Sequence, residues 1–367
     1  MANNRMKQPL GGAGSLMESL EPRRLMTFTP ILSSNALTSD QSQFGTANVD
    51  PNLVNPVGIT VGPGGKLFTA DNATGDVTSY NAAGVPQPAA SPLVGTIPAP
   101  SGAAHATPTG IVAHAGNGFD IAVNGANVPS AFLTATEDGT IAGYNPAISA
   151  TAAIAVDHSQ LGDVFKGLTI LGSGTGAKIY ATDFHNDRVE VFNSKFQQVV
   201  LKGGFVDREV PAGFSPFGIQ AIHGKIYVTY ARQDSTQTQD NPGTAQGIVD
   251  VYSARGKLIR RVATGGDLNS PWGLAVAPAS WGIFKKDLLV GNQGDGTISI
   301  FDKFDNLVGQ FPDNAQDGGP LTAVGLWGLQ NGTGKARNEI FFTSAPNSKG
   351  DGVLGELIAT KVARVRR

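Results

Sequence analysis

A short motif built around glycine recurs six times along this chain, and it restricts the possible folds more strongly than any other feature. Four copies read Pro-x-Gly followed by Ile or Leu, and two copies begin with Phe or Leu instead. The copies are Pro56-Val-Gly58-Ile59, Pro108-Thr-Gly110-Ile111, Phe165-Lys-Gly167-Leu168, Pro216-Phe-Gly218-Ile219, Pro271-Trp-Gly273-Leu274 and Leu326-Trp-Gly328-Leu329. Successive glycines are 51 to 57 residues apart. This spacing indicates six equivalent structural units.

Each unit repeats the same order of short β-type segments and turns. Predicted second strands cover residues 66–71, 131–137, 178–183, 225–230, 287–292 and 339–344. Predicted third strands cover residues 76–81, 140–145, 188–193, 248–253, 297–302 and 353–358. Asp-Gly pairs at 138–139, 295–296 and 351–352 favour tight hairpins between them. Four antiparallel strands in each of six units predict an all-β protein, a six-bladed β-propeller.

The sequence also suggests how the ring closes. A fourth strand precedes the next motif in complete units, as at residues 257–262 and 306–310. Residues 31–40 stand in the same relation to the first motif, although no unit precedes them. We therefore expect this segment to pair with the sixth blade. The expected organisation is a disordered segment over 1–30, a propeller over 31–360 and a basic tail over 361–367.

Composition excludes several classes of function. With 27 Lys and Arg against 29 Asp and Glu, the net charge of −2 is too balanced for a protein that binds nucleic acid through its phosphates. No apolar run reaches the 18 residues of a membrane span. The chain has no cysteine, which excludes disulfides, thiolate metal sites and a cysteine nucleophile. We expect a monomer.

Two parts of the sequence resemble known families. Residues 19–26, SLEPRRLM, resemble the Leu-Glu-Pro-Arg-x-Leu-Leu motif near the N-termini of many exported planctomycete proteins. This resemblance implies an extracytoplasmic protein, secreted or on the cell surface. Residues 180–193, YATDFHNDRVEVFN, resemble an NHL-type propeller unit.

The chain from about residue 35 to 357 also resembles a bacterial family of uncharacterised NHL-like six-bladed propellers. The resemblance is carried by residues 50–58, 137–141, 264–273 and 291–298. It implies the propeller fold but no activity, because none is assigned to that family. Related propellers include streptogramin lyase-like enzymes, calcium-dependent lactonases and binding modules, so the fold alone does not select a function.

Because strands one and two of a blade are antiparallel neighbours, the end of strand two lies beside the start of strand one. One channel mouth should therefore carry the middle residues of the motifs together with the ends of the second strands. The predicted ligand-binding residues on this face are Phe217, Trp272, Trp327, Arg232 and Asp234. The alternative is that the aromatic residues wedge between blades.

Acidic and amide side chains at the same mouth suggest a cation site. The predicted ligands of a calcium-like ion are Asp71, Glu137, Asp183, Asn292 and Asp295. His185 lies on this face two residues after Asp183, which makes it the candidate general base. The alternative is that these side chains satisfy backbone amides in turns and that His185 is a solvated turn residue.

The sequence leaves two functions open. The first is a non-catalytic extracytoplasmic binding module for a glycan or a protein at the aromatic mouth. The second is a hydrolase or lyase assisted by a calcium-like metal at the same mouth. The polar insertion at residues 233–246 favours a disordered surface segment, with a lid or cation loop as the alternative.

Overall fold

The computed structural model describes residues 30–101, 103, 105–312, 319–347 and 350–360. The export-like motif and the basic tail lie outside the described residues. In the described part, regular structure consists of β-strands and short 3₁₀ turns. The turns are Ser42–Phe44, Pro63–Gly65, Ser159–Leu161, Gly174–Gly176, Gly282–Phe284 and Gly334–Ala336. None of the helical segments described is long and apolar enough to cross a membrane.

Six sheets, antiparallel apart from one short parallel pair near the N-terminus, lie around a central axis, as predicted, and one separate hairpin adds a two-stranded sheet. The chain begins with β1 (Ile31–Ser39) and β2 (Asn48–Val49). Blade one contains β3 (Pro56–Val61), β4 (Leu67–Asp71), β5 (Asp76–Tyr80) and β6 (Val94–Thr96). Blade two contains β7 (Pro108–Ala113), β8 (Asp120–Val123), β9 (Ala126–Pro129), β10 (Phe132–Thr136), β11 (Thr140–Tyr144) and β12 (Ala153–Asp157). Blade three contains β13 (Phe165–Leu171), β14 (Lys178–Asp183) and β15 (Arg188–Asn193).

The second half of the ring follows the same order. Blade four contains β16 (Phe214–Ile222), β17 (Lys225–Arg232), β18 (Ile248–Tyr252) and β19 (Leu258–Thr264). Blade five contains β20 (Pro271–Val276), β21 (Leu288–Asn292), β22 (Ile298–Phe301) and β23 (Leu307–Gln310). Blade six contains β24 (Leu326–Asn331), β25 (Ile340–Ser344) and β26 (Val353–Thr360). The predicted six-bladed propeller is confirmed.

The N-terminal strand completes the sixth blade. β1 runs antiparallel to β26, from the pair Ile31 and Thr360 to the pair Ser39 and Val353. Beyond the strand end, the amide of Asp40 donates to the carbonyl of Gly352 at 3.1 Å. The two ends of the described chain are thus joined by a strand ladder, which confirms the predicted closure of the ring.

Three blades depart from the four-strand pattern, and in blade six the short β2 pairs in parallel with β1 as a fifth strand. In blade two, β8 and β9 form an extra hairpin, separate from the four-stranded sheet, whose turn is Asn124-Gly125. Both turn residues have positive φ, at 52° and 81°, as a two-residue hairpin turn of this type requires. In blade three, the described sheet has three strands, and a single bridge between Phe192 and Gln198 takes the place of a fourth.

The motif glycines explain why the blades can meet at the axis. A Cβ built on Gly218 would lie 2.1 Å from the carbonyl oxygen of Trp272 in the next blade. The same contact with a backbone atom of the next blade recurs around the ring, for Gly58 with Thr109 O, Gly110 with Leu168 N, Gly167 with Phe217 O, Gly273 with Trp327 O and Gly328 with Val57 O. The motif repeats because each blade needs a residue without a side chain at this position.

Threonines in the second strands of blades three, four and six form hydrogen bonds to the next blade, close to the motif glycines. The hydroxyl of Thr343 accepts a hydrogen bond from the Gly328 amide at 2.9 Å and donates to the Val57 carbonyl at 2.8 Å. Thr182 and Thr229 make equivalent pairs of bonds. These hydroxyls satisfy buried backbone groups that would otherwise lack partners, so they stabilise the ring close to its axis.

Candidate functional site

The predicted site residues, at the ends of the second strands and in the middle of the motifs, lie at one opening of the channel. The end of β4 is paired with the start of β3, the end of β14 with the start of β13, and the end of β21 with the start of β20. We call this opening the upper mouth. The prediction that the second-strand ends share a face with the middle residues of the motifs is confirmed.

An apolar plug fills the centre of the upper mouth. It consists of Val57, Phe184, Phe217, Ala231, Trp327 and Ala345, with the half-buried Trp272 packed against it. The rings of Phe217 and Trp327 are 6.2 Å apart, and those of Trp327 and Trp272 are 6.0 Å apart in an edge-on arrangement. Below the plug, the channel narrows to a cavity of about 30 Å³ lined by motif glycines, which has room for about one water molecule.

The plug corrects the prediction of an aromatic binding arc. Phe217 is 0 % exposed and Trp327 is 4 % exposed, so neither ring offers a face to a ligand. Both rings are buried in the plug, where they pack against each other. Trp272 differs, since it keeps part of its surface exposed and its indole Nε1 donates to the carbonyl of Lys166 at 3.1 Å.

A buried ion pair lies beside the plug. The ammonium group of Lys166 pairs with the carboxylate of Glu137, and Lys166 Nζ lies 5.9 Å from the centre of the Phe184 ring. Lys166 is 1 % exposed, whereas Glu137 is half-buried. The Nε2 atom of Gln239 donates to Glu137 at 3.3 Å. Lys166 could have been recognised in the sequence, because it is the one charged residue at the middle position of a motif.

Gln239 belongs to the insertion at residues 233–246, which has a defined fold. The Oδ1 atom of Asp234 accepts hydrogen bonds from the amides of Thr236 at 3.2 Å and Thr238 at 3.1 Å. Gln233 Nε2 donates to the Phe184 carbonyl at 2.6 Å. The insertion therefore extends from blade four over the upper mouth to Glu137 in blade two, and Asp234 serves to shape it. This fold corrects the expectation of a disordered segment.

The predicted metal ligands do not meet in one place. The carboxylate of Asp71 accepts hydrogen bonds from the hydroxyls of Thr69 and Thr78 within its own blade, and burial raises its pKa well above the usual value. Asn292 donates to the carbonyl of Asp267 at 3.0 Å, and the exposed Asp295 accepts from the Thr297 amide at 3.0 Å. Among the described residues, the four acidic side chains of the predicted set form no group of three at ligand distance. Asp71, Asp183 and Asp295 each accept hydrogen bonds from nearby protein groups, and the calcium site stays a prediction.

His185 lacks the partner expected of a general base. Its neighbour in sequence, Asp183, is fully buried, accepts from Asn186 Nδ2 at 2.8 Å and pairs with Arg188 at 3.1 Å. Burial raises the pKa of Asp183, and the nearby charge of Asp163 adds to this while the hydrogen bonds and Arg188 oppose it. His185 is half-buried, and its Nδ1 has no hydrogen-bond partner among the described residues. Arg232 is exposed at the end of β17.

Sequence reasoning missed a cluster at the seam between blades two and three. His158 follows β12, Asp163 precedes β13, and Glu190 lies in β15. His158 Nδ1 is 2.7 Å from Asp163 Oδ2 and 3.3 Å from Glu190 Oε2. His158 and Asp163 come from the one connection between β12 and β13, and Glu190 comes from β15, 27 residues after Asp163, so the sequence gives no pattern that joins all three. We call this group the seam cluster.

Comparison with known proteins identifies relatives of this chain. No family model matches, so the resemblance to NHL repeats stays a prediction. An uncharacterised protein of Acanthamoeba polyphaga mimivirus is 33% identical over 361 residues, which cover 96% of this chain and 85% of the relative. A second uncharacterised mimivirus protein is 31% identical over 352 residues, covering 93% and 88%. These relatives are viral, which corrects the expectation of a bacterial family.

Solved structures share the fold at low sequence identity. Virginiamycin B lyase from Staphylococcus aureus superposes with a TM-score of 0.50 and 13% identity, covering 89% of this chain and 98% of the lyase. A protein of unknown function from Bacteroides thetaiotaomicron gives a TM-score of 0.55 and 10% identity, covering 90% and 76%. At such identities the likeness establishes the propeller fold alone.

Proposed function

We propose that this chain, which belongs to the same family as the two uncharacterised mimivirus proteins, is a non-catalytic binding module whose ligand site is the upper mouth. The proposed ligand is a glycan. An apolar ring face beside a fixed carboxylate suits a sugar, because one face of a sugar ring packs on an aromatic surface while its hydroxyl groups donate to acidic oxygens.

The observation that carries this proposal is the fixed, partly exposed indole of Trp272. Its Nε1 is bonded to the backbone of Lys166, and its ring abuts the plug through Trp327. The side chain of Lys166 in turn pairs with Glu137, so the indole and the carboxylate are held in one connected unit. A preformed site of this kind loses little conformational entropy when a ligand binds.

The titratable groups at the upper mouth favour binding over hydrolysis. A general base needs an oriented proton acceptor within reach of the substrate. Here Asp183 is engaged by Arg188 and Asn186, so it does not orient His185.

A calorimetric titration with CaCl₂ after chelator treatment tests the alternative function, a metal-assisted hydrolase or lyase. Saturable calcium binding that Asp71→Asn and Asp183→Asn abolish would favour the metal-assisted enzyme.

The experiment for the glycan site compares three proteins against a polysaccharide panel by isothermal titration calorimetry. We expect wild type to bind at least one glycan, and Trp272→Ala to bind it at least tenfold more weakly, a loss of about 1.4 kcal/mol. The control is Phe304→Ala, which removes an aromatic ring that is 71 % exposed in a turn of blade five. It should bind as wild type does.

Two outcomes would contradict the proposal. If no glycan binds wild type, the ligand is not a polysaccharide of the panel and the glycan proposal fails. If Trp272→Ala and Phe304→Ala bind with equal affinity, the upper mouth is not the site.

Extracytoplasmic location is part of the same proposal. Fractionation of native cells, with an antibody against the chain, tests this location.

A further inference from the structure

The seam cluster combines a histidine and two carboxylates in a buried setting. Asp163 is 2 % exposed and Glu190 is 3 % exposed. One oxygen from each carboxylate and the Nδ1 atom of His158 all lie within 4.8 Å of one another. The imidazole packs near the rings of Phe165 and Phe192, at 6.3 and 5.8 Å between centroids, which fixes its orientation.

Negative charge in this region exceeds the positive charge beside it. Asp163, Asp183 and Glu190 supply three buried carboxylates, and Arg188 contributes one guanidinium group whose side chain is 47 % exposed. Counted as ionised, the three carboxylates and the one guanidinium sum to −2, without the imidazole of His158. Burying uncompensated charge is costly, and a divalent cation would balance this sum.

The carboxylate of Glu190 has ion-pair contacts but no hydrogen-bond donor. Arg188 Nη2 lies 2.7 Å from Oε1 and His158 Nδ1 lies 3.3 Å from Oε2, yet neither contact has the geometry of a hydrogen bond among the described residues. Asp163 behaves differently, because its Oδ1 accepts from Asn186 Nδ2 and from Arg188 Nη2, both at 3.0 Å. These donors orient Asp163 and leave Oδ2 directed at His158, as the outer partners of a metal ligand do.

We propose that the seam cluster is a zinc site with His158, Asp163 and Glu190 as its protein ligands. Two ligands on tetrahedral zinc, each about 2.0–2.2 Å from the metal, are about 3.3–3.5 Å apart. The separation of 3.3 Å between His158 Nδ1 and Glu190 Oε2 fits this value. His158 Nδ1 and Asp163 Oδ2 are 2.7 Å apart, so zinc would replace this hydrogen bond and move the two atoms apart by about 0.6–0.8 Å. An imidazole with two carboxylates suits zinc better than calcium, which prefers ligands that are all oxygen. Three protein ligands leave a fourth position for water.

The site is tested by titrating the chelator-treated full chain with ZnCl₂ in a calorimeter. We expect one zinc per chain, and at least 100-fold weaker binding in His158→Gln and in Glu190→Gln. The control is His223→Gln, which changes an exposed histidine in the turn after β16 and should bind zinc as wild type does. Melting curves of each variant establish that it is folded.

Cobalt provides a second readout that does not depend on affinity. Wild type loaded with Co²⁺ should show the intense visible bands of a tetrahedral site, and both ligand variants should lose them. The proposal is overturned if wild type shows no saturable binding with one zinc per chain. It is equally overturned if folded His158→Gln and Glu190→Gln both bind zinc within tenfold of wild type.

Discussion

At the scale of single residues, the motif glycines are the strictest requirement of this fold. We expect Gly218→Ala to destabilise the protein by at least about 3 kcal/mol, because the new methyl group would lie 2.1 Å from a backbone oxygen that cannot rotate away. Urea denaturation measures the change. The control is Gly176→Ala, at a glycine whose added Cβ meets nothing within 4 Å. Equal stability of the two variants would contradict the close approach of blades at the axis.

A second prediction at this scale concerns Asp287, just before β21. Burial, with the charge of Asp302 nearby, raises the pKa of Asp287 to about 6. In the unfolded chain its pKa is about 3.9, so between these values the folded state binds more protons and stability falls as the pH rises. Asp287 lies in the wall of an open pocket of about 340 Å³, which allows water to screen its charge.

We therefore expect Asp287→Asn to stabilise the protein at pH 7 by about 1 kcal/mol, and this advantage to vanish near pH 4. Urea midpoints of variant and wild type across this range provide the measurement. Asp120→Asn, which makes the same change at an exposed aspartate in β8, is the control. A stabilisation of Asp287→Asn that is the same at pH 4 and pH 7 would rule out titration as its cause.

Residue types at the mouth could be predicted from the sequence, but their exposure could not. Trp272 and Trp327 occupy the same position of the motif, yet one is half-buried and the other is 4 % exposed. The difference depends on Phe217, which packs against Trp327 from the facing side of the ring. Such a contact joins blades four and six and leaves no pattern in local sequence.

At the scale of elements, hairpins were predictable because their signals are local. Strand pairs such as β4 with β5 and β21 with β22 follow from alternating apolar residues and the turns between them. The closing strand β1 was predictable for another reason. Its segment precedes the first motif as a fourth strand precedes the next motif in complete units, although no unit comes before it. The seam cluster was not, because it joins two residues of the connection between β12 and β13 to Glu190 in β15, and these segments are distant in sequence.

The insertion at residues 233–246 shows where composition misleads. Its many polar residues suggest disorder, but they form hydrogen bonds with one another and with Phe184 and Glu137 at the upper mouth. Asp234 alone accepts from the amides of Thr236, Thr238 and Gln239. A polar loop acquires a defined fold when its side chains satisfy its own backbone, and this depends on geometry rather than on composition.

At the scale of the whole molecule, the fold narrows the channel, and we propose that one of its openings, the upper mouth, is functional. The plug and the motif glycines reduce the axis to a cavity of about 30 Å³, so a ligand cannot pass through. Only the upper mouth carries the fixed indole of Trp272, the Glu137–Lys166 ion pair and the loop over it. The central claim is that a ligand binds there.

Hydrogen exchange with and without the tightest-binding glycan of the panel tests whether a ligand binds at the upper mouth. We expect the ligand to slow amide exchange in the insertion at residues 233–246 and around Trp272. Exchange in the turn at residues 279–286, on the opposite face, should stay unchanged. Slower exchange confined to that turn, with none at the upper mouth, would contradict the account.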